Sequence, residues 1–269
     1  MQKKNYLNNK DILLEIHRSK SSFSSFSSPD YVDYDLILDS INDIDEEALI
    51  TARKNKAKCL SVVEFENAKL TQKRVKLQEF EIDPDSIKPS EVVFRIMTYD
   101  HIPNAPGRKK NPKSIADSKV KLNFPPFQHW KMDEYGNLEC VGKSHWKGDV
   151  HSGKFCKDKG QTTNKLALMW LKLVERYATR SNVRGYTYND EMRGQAILQL
   201  AQIGLQFDES KSNNPFAYYT QTIKNSFVRV INIEKRNQNI RDDILESHGL
   251  APSYTRLHNA EWESQVKDE

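Results

Sequence analysis

The chain has 269 residues, of which 37% are hydrophobic and 29% charged, and its mean hydropathy of −0.76 is that of a polar protein. It has no run of about 18 apolar residues and no signal-peptide core. Its three cysteines, Cys59, Cys140 and Cys156, are widely spaced. These features exclude a membrane protein, a disulfide-rich secreted domain and a collagen-like repeat, and they predict a reducing cytoplasm.

The formal net charge of +4 is unevenly distributed along the chain. Residues 1–50 carry 5 basic and 10 acidic side chains, residues 101–160 carry 12 and 6, and residues 241–269 carry 3 and 7. A basic body with acidic ends favours a polyanionic partner such as nucleic acid. An ordinary solvated surface has a similar balance, so the charge pattern alone leaves both interpretations open.

The first third of the chain predicts two segments. Residues 1–33 comprise a short helix around 9–18 and the Ser-rich stretch SKSSFSSFSSPD at 19–30. Because that stretch has neither helical nor strand periodicity, we interpret it as a flexible linker. Residues 34–82 predict an exposed, charge-laced helix or helix pair.

Residues 83–160 predict a loop-rich, partly β region of basic character. Proline is frequent there, and FQHWKM, DEYGN and LECVG at 127–142 indicate a β-hairpin that turns at Gly136 and Asn137. The loop GRKKNPK at 107–113 supplies three candidate contacts to the DNA backbone, Arg108, Lys109 and Lys110.

Cys140, His145, His151 and Cys156 could hold a zinc ion by residue type alone, with His129 upstream. Their spacing lacks the tight C-x-x-C pairs of zinc sites, so we expect no metal there. The sequence also has no nucleophile–base pair and no phosphate-binding loop. It therefore predicts a protein that is not an enzyme and needs no cofactor.

Residues 161–240 predict a three-helix module in a mainly α protein. A first helix begins at Asn164 with a broad apolar stripe, and a second spans 190–206. The second helix is apolar nearly all round except for one polar stripe, which consists of Glu191, Gln195, Gln199, Gln202 and Gln206. A helix face exposed to solvent would normally carry lysine and glutamate. The glutamines of this stripe therefore favour docking on a partner over exposure to solvent.

The third helix begins at Pro215, a residue favoured at the first helical position. One face is apolar, and the opposite face has amides, two guanidiniums and an aromatic ring but no carboxylate. Its members are Tyr218, Gln221, Thr222, Asn225, Arg229, Asn232 and Arg236. Such a face suits phosphates and base edges.

The run GYTYNDEMRGQAILQLAQIGLQFDESKSNNPFAYYTQTIKNSFVRVINIEKR resembles region 2 of bacterial sigma factors. The helix lengths, the junction Phe207-Asp208 and the helix start Asn214-Pro215-Phe216 carry the resemblance. It is closest to the late-transcription sigma factors of T-even-like bacteriophages and their cyanophage relatives. This implies a sigma region 2-like helical domain at 161–240.

The resemblance implies a phage-encoded sigma factor in the cytoplasm of an infected bacterium. Such a protein binds the host RNA polymerase core and directs recognition and melting of TATA-like late promoters. The polar stripe would dock on the coiled coil of the largest polymerase subunit, with Glu191 and Gln195 in place of the family's paired acids. The third helix would read promoter DNA, with Phe216 and Tyr218 stacking on unpaired bases and Asn213 and Asn214 reading a base edge.

The acidic tail at 241–269 corresponds to the peptide with which this family grips a sliding clamp, and Trp262 and Val266 are its apolar anchors. A sliding clamp and a coactivator are therefore further implied partners. Two alternatives remain open from the residues. One is a stand-alone DNA-binding regulator, and the other is an RNA-binding or nuclease accessory protein built on the basic middle region.

Overall fold

The computed structural model describes residues 7–71, 76–107, 109–111, 113 and 115–267. They form two compact units. The first comprises the chain up to Met169 together with Gln202–Phe216, and the second comprises Trp170–Ala201 and the chain from Ala217 onward. Helices predominate and are accompanied by a small mixed sheet, which confirms the coarse prediction of a mainly α protein with some β structure.

The helices are α1 (Asn9–Ser22), α2 (Glu46–Thr71), α3 (Ile115–Ser118), α4 (Asn164–Ala178), α5 (Asn189–Ile203), α6 (Pro215–Ser247) and α7 (Tyr254–Lys267). The strands are β1 (Ser25–Phe26), β2 (Leu36–Leu38), β3 (Val93–Ile96), β4 (Gln128–Met132), β5 (Leu138–Lys143), β6 (Trp146–Lys147) and β7 (Lys154–Phe155). A 3₁₀ turn at Gly204–Gln206 follows α5.

The five-stranded sheet of the first unit has the order β1-β5-β4-β3-β2. Its pairs are antiparallel except for β2 and β3, which are parallel. The hairpin predicted at 127–142 is confirmed as β4 and β5. Gly136 has a φ of 86°, and the Asp133 carboxylate accepts hydrogen bonds from the backbone nitrogens of Tyr135 and Asn137 at 2.8 and 2.7 Å, which fixes the turn.

Helix α2 covers one face of this sheet with small side chains. Ala48, Ala52 and Ala57 are buried and belong to the same core cluster as Phe94 and Ile96 of β3. The charged outer surface of α2 agrees with the prediction of a charge-laced helix. The predicted start of the helix is wrong, because residues 34–45 form β2 and a 3₁₀ turn and the helix begins only at Glu46.

The Ser-rich segment at 19–30 differs from the predicted flexible linker. Helix α1 continues through it to Ser22, and β1 follows at once. Ser19 and Ser24 are buried and donate their hydroxyl hydrogens to carbonyls one turn earlier, at 2.7 and 2.9 Å, while Ser25 donates to the Trp146 carbonyl at 2.8 Å. Short hydroxyl side chains can satisfy backbone groups in this way, so serine is compatible with an ordered, buried segment.

Strand β3 places an arginine between two core residues. Successive side chains of a strand point to opposite faces, so Phe94 and Ile96 face α2 whereas Arg95 lies on the other side of the sheet. The Arg95 residue is 0% exposed. Its guanidinium carbon lies 3.8 Å from the ring centroid of Tyr34 and 3.9 Å from that of Phe127. The two rings enclose the planar cation and stabilise it by cation–π contact.

Each nitrogen of the Arg95 guanidinium has an acceptor. Nε donates to His129 Nε2 at 3.0 Å, one terminal nitrogen donates to Glu209 Oε2 at 3.0 Å, and the other lies 3.1 Å from His17 Nδ1. Burying an arginine costs little only when its donors are paired in this manner.

Arg95 also fixes the protonation of both histidines. A guanidinium can only donate, so the imidazole nitrogens that face it must be unprotonated acceptors. The second nitrogens then donate to the Tyr31 carbonyl at 2.7 Å and to the Asp33 carboxylate at 3.0 Å. Burial lowers the pKa of His17 and of His129, and the Arg95 charge lowers each further. Both imidazoles are therefore neutral parts of the cluster.

Glu209 is the carboxylate that balances this cluster. Its Oε2 lies 3.0 Å from Arg95 and 3.3 Å from Nζ of Lys20, which is itself buried and donates to the Phe207 carbonyl at 2.7 Å. Burial raises the pKa of Glu209, but the charges of Lys20 and Arg95 outweigh it and hold the pKa below its usual value. Phe207 and Glu209 follow the 3₁₀ turn after α5, so the cluster fastens the start of the loop at 208–214 to α1 and β3.

The core of the second unit consists of aromatic and aliphatic side chains from its helices. The Trp170 ring lies 5.7 Å from Tyr219 and the Tyr177 ring lies 5.1 Å from Phe227, both in edge-to-face geometry. Buried residues of α5 add to the core, and they are Met192, Ala196 and Leu200. The predicted apolar stripes of the first and third helices of the module supply these contacts.

Helix α6 is longer than the predicted third helix. It runs for 33 residues to Ser247 and is followed by α7, so the predicted acidic tail at 241–269 is largely helical. The Asp242 carboxylate accepts hydrogen bonds from the backbone and hydroxyl of Ser253 at 2.9 and 2.7 Å, and Arg256 pairs with Asp243 at 2.6 Å. These contacts hold α7 against the last turns of α6.

None of the described helices is both long enough and apolar enough to cross a membrane.

Replacing Glu209 by glutamine should lower the free energy of unfolding by about 3 kcal/mol, because Arg95 and Lys20 would remain buried with their counter-charge removed. Urea-induced unfolding measures the change. The same substitution at Glu139, an exposed partner of Lys131 at 3.6 Å, is the matched control and should cost less than about 1 kcal/mol. Equal costs at the two positions would contradict the assignment of Glu209 as the balancing charge.

Candidate nucleic-acid interface

The polar side of α6 forms a continuous exposed face in the second unit. Gln221, Asn225, Arg229, Asn232 and Arg236 are all exposed. From Tyr218 to Arg236 the face extends about 27 Å along the helix axis, at 1.5 Å per residue. Amides and guanidiniums without a carboxylate among them give a face that can donate to phosphates and pair with base edges.

Tyr218 is the aromatic member of this face. It is half-buried, and its ring meets that of Tyr219 edge-to-face at 5.6 Å. Burial raises the pKa of the Tyr218 hydroxyl, so the side chain is neutral at physiological pH. A ring held by its neighbour is positioned before any ligand arrives, which lowers the ordering cost of stacking.

Gln221 and Asn225 are joined by a hydrogen bond one turn apart. Gln221 Nε2 donates to Asn225 Oδ1 at 2.7 Å. The pair still has the Gln221 carbonyl oxygen as an acceptor and the Asn225 amide hydrogens as donors. One acceptor beside one donor is the pattern that amides use to pair with a base edge.

Thr222 does not belong to the exposed face, although the sequence pattern included it. It is 7% exposed, and its hydroxyl donates to the Tyr218 carbonyl at 3.0 Å. A hydroxyl bonded to its own helix and buried in this way is not available to DNA. We therefore remove Thr222 from the candidate contacts.

Phe216 and the two asparagines before it belong to the first unit. Phe216 is 40% exposed, and its backbone nitrogen donates to Asn9 Oδ1 at 3.2 Å. Asn213 and Asn214 are exposed in the loop at 208–214. Within the loop, Asp208 accepts hydrogen bonds from Ser210, and with Glu209 this shapes the chain before α6.

Asn213 lines an open cleft of about 690 Å³ in the first unit. Strand β2 and Tyr34, Asp35, Asp39 and Asp43 form part of its wall, and the one lysine of the lining, Lys211, is paired with Asp208 at 3.1 Å. Carboxylates repel phosphate, so a nucleic acid at this cleft would be met at a base rather than at its backbone. The amide of Asn213 is suited to that contact.

The basic loop at 107–113 is only partly available to a ligand. Lys109 pairs with Asp117 at 3.1 Å, whereas Lys110 is exposed. Arg108, the third residue predicted there, lies outside the described residues. The pairing of Lys109 reduces the positive charge that this loop can offer to a phosphate backbone.

The predicted polar stripe of α5 has an exposed leucine beside it, halfway along its length. Glu191 and Gln195 are exposed and Gln199 is half-buried, but Leu198 is 56% exposed on the same side of the helix. The sequence pattern missed Leu198 because a leucine in an apolar helix is normally assigned to the core. Polar groups around an exposed leucine are typical of a protein contact rather than a DNA contact.

The remaining members of that stripe lie at the end of the helix and beyond it. Gln202 is exposed near the end of α5, and Gln206 is exposed in the 3₁₀ turn, where the chain no longer follows the α-helical spacing used for the prediction. The stripe on α5 therefore ends at Gln202.

The described residues contain no group of three or more His, Cys, Asp or Glu side chains arranged to hold a metal ion. Comparisons of the chain with protein-family models, with curated proteins and with solved structures gave no match. The function must therefore be inferred from the residues and their arrangement.

Replacing Arg229 by glutamine should weaken binding to every DNA sequence and reduce the slope of log affinity against log salt by about 0.9, the value for one phosphate contact. Lys224 is the matched control, since it is an exposed cation of the same helix about 100° round from the polar face. Fluorescence anisotropy at several salt concentrations measures both variants. If Lys224→Gln lowers the slope as much as Arg229→Gln, the polar face is not the DNA contact.

Proposed function

We propose that this chain is a sigma factor of the phage late-transcription type, which binds a bacterial RNA polymerase core and directs recognition and melting of TATA-like late promoters. The observation that supports the proposal most strongly is the exposed face of α6. Two arginines, amides and a half-buried tyrosine lie along about 27 Å of helix, with no carboxylate in the set. In this proposal the host's cytoplasm is the site of action and the polymerase performs the chemistry, so the chain itself needs no catalytic centre or cofactor.

Polymerase docking is assigned to α5. Its exposed side combines an apolar residue, Leu198, with the polar side chains of Glu191 and Gln195 beside it. The carboxylate of glutamate would repel the DNA phosphates, and leucine has no polar group that could bind them. A protein surface such as the coiled coil of the largest polymerase subunit accommodates both groups.

Promoter melting is assigned to Tyr218, with Phe216 as a second aromatic. Extruding a base costs a few kcal/mol, and stacking on an aromatic ring returns about 1–3 kcal/mol per base. Asn213 and Asn214 could add hydrogen bonds to an extruded base edge. Arg229 and Arg236, three and five turns further along α6, would hold the backbone of paired DNA.

Helix α7 carries the two residues predicted to contact a sliding clamp. Trp262 of α7 is exposed, whereas the side chain of Val266 lies outside the described residues. Contact with a sliding clamp through these two anchors, and with a coactivator, stays a prediction of the family resemblance.

The docking assignment is tested with two exposed leucines. Leu198→Asp should lower affinity for core RNA polymerase at least tenfold, because it places a charge within the proposed contact. Leu168→Asp on α4 is the control, since Leu168 is 57% exposed and lies outside the proposed face. Binding of each variant to core polymerase is measured by sedimentation or biolayer interferometry. Equal affinities for the two variants would contradict docking through α5.

Run-off transcription by core polymerase assembled with Tyr218 variants of this chain tests promoter melting. Tyr218→Ala should reduce yield from a duplex late promoter roughly tenfold, in line with the stacking energy, and recover on a template pre-opened by mismatches. Tyr218→Phe keeps the ring and should transcribe both templates as the wild type does. A chain that binds duplex operator tightly without polymerase, and supports no run-off with it, would be the stand-alone regulator instead.

A further inference from the structure

The second half of α6 carries an apolar stripe that differs from its polar face. Ile233, Ile240 and Ile244 are 47%, 47% and 53% exposed, and Asn237 lies in line with them. The four positions are separated by four, three and four residues, which is the a/d spacing of a coiled coil. We call Ile233, Asn237, Ile240 and Ile244 the seam. Side chains at this spacing normally pack against another helix.

Helix α7 does not cover this stripe. It contacts α6 through Gln238 and Asp242, whose side chains bond Ser253 at 2.7–3.0 Å, and through Asp243 and Glu246, which pair with Arg256 at 2.6 and 3.0 Å. These four positions lie about 80–180° round the helix from Ile233. Within the second unit, the described contacts of α7 therefore leave the seam exposed to a further helix.

We propose that two copies of this chain associate through the seam as an antiparallel helix pair. In the symmetric register centred between residues 238 and 239, Ile244 lies beside Ile233 of the second copy and Ile240 lies beside Asn237. A two-fold axis relates the two halves, so each contact occurs twice.

The charges that flank the seam select this arrangement. In the antiparallel register, Glu234 lies opposite Arg241 of the second copy, and Arg236 lies opposite Asp243, which also pairs with Arg256 of its own chain at 2.6 Å. Both flanks therefore bring opposite charges together, and the two-fold axis doubles each pair. A parallel pair would instead place Arg236 against Arg241 and suffer repulsion. Between Ile233 and Ile244, the antiparallel orientation is therefore the one whose flanking charges are all complementary.

The size of the seam makes this a weak dimer. It extends about 16 Å along the helix and buries three isoleucines per copy, which is well below the roughly 800 Å² per partner of a standard interface. Asn237, which donates to Glu234 on its own helix at 3.2 Å, adds a polar group that fixes the register at a cost in stability. We expect association at roughly 100 µM and above.

Charge reversal at Glu234 and Arg241 tests the register. Glu234→Arg alone and Arg241→Glu alone should each be monomeric, because like charges would then meet across the axis. An equimolar mixture of the two variants should dimerise at least as well as the wild type, because every flanking pair is opposite again. Sedimentation velocity from about 10 µM to 1 mM measures all four samples.

Glu234 and Arg241 do not belong to the proposed DNA or polymerase contacts. The experiment can therefore contradict the dimer without contradicting the proposed function, and the reverse. If one variant of this pair loses its helical circular dichroism signal, Ile240→Asp is compared with the wild type instead, and it should be monomeric over the same concentration range. Monomeric wild type at 1 mM, or a mixture that stays monomeric, would overturn the proposal. A dimer that survives Ile240→Asp would place the interface elsewhere and would overturn it equally.

Discussion

The ion pair between Glu209 and Arg95 is the contact on which the arrangement of the first unit depends. Arg95 is completely buried on β3, and the carboxylate that balances it lies 114 residues later in the chain. Removing one partner from such a pair leaves an uncompensated charge in a medium of low dielectric constant. Lys20 joins from α1, so a helix, a strand and the loop after α5 meet at one carboxylate.

This cluster determines where the loop at 208–214 leaves the sheet. Phe207 and Glu209 are bound by Lys20 and Arg95, and Phe216 is bound by Asn9. Both ends of the loop are thus held by the first unit while Asn213 and Asn214 remain exposed. An exposed loop between fixed ends suits a contact that must be presented in one geometry.

Helix α6 shows how one long helix can carry three different surfaces. Its first half buries aromatic and aliphatic side chains such as Tyr219 and Phe227, and its opposite side carries amides and arginines. Beyond Val230 the core ends, but the apolar spacing continues as the exposed seam at Ile233, Ile240 and Ile244. The change from buried to exposed isoleucine along one stripe is the physical basis for expecting a second helix there.

Local features of the fold could be predicted from the sequence, and long-range ones could not. The hairpin at Gly136 and the start of α6 at Pro215 are determined by a few adjacent residues. The pairing of β2 with β3 joins segments more than fifty residues apart, and the partner of Arg95 is more distant still. Their formation depends on which surfaces meet in the folded chain.

The candidate site was predictable to a similar degree. The helical wheel of α6 found its polar face except for Thr222, whose hydroxyl bonds its own helix, and it could not foresee that Leu198 of α5 would be exposed. Periodicity identifies which side chains share a side of a helix. It does not identify which side the rest of the protein covers.

Hydrogen exchange at the backbone amides of residues 208–214 measures whether the buried ion cluster holds this loop. In Glu209→Gln these amides should exchange at least tenfold faster than in the wild type, while the amides of α5 and α6 within the second unit keep their protection. If the loop amides exchange at the wild-type rate in the variant, neither Glu209 nor the ion cluster around it holds the loop.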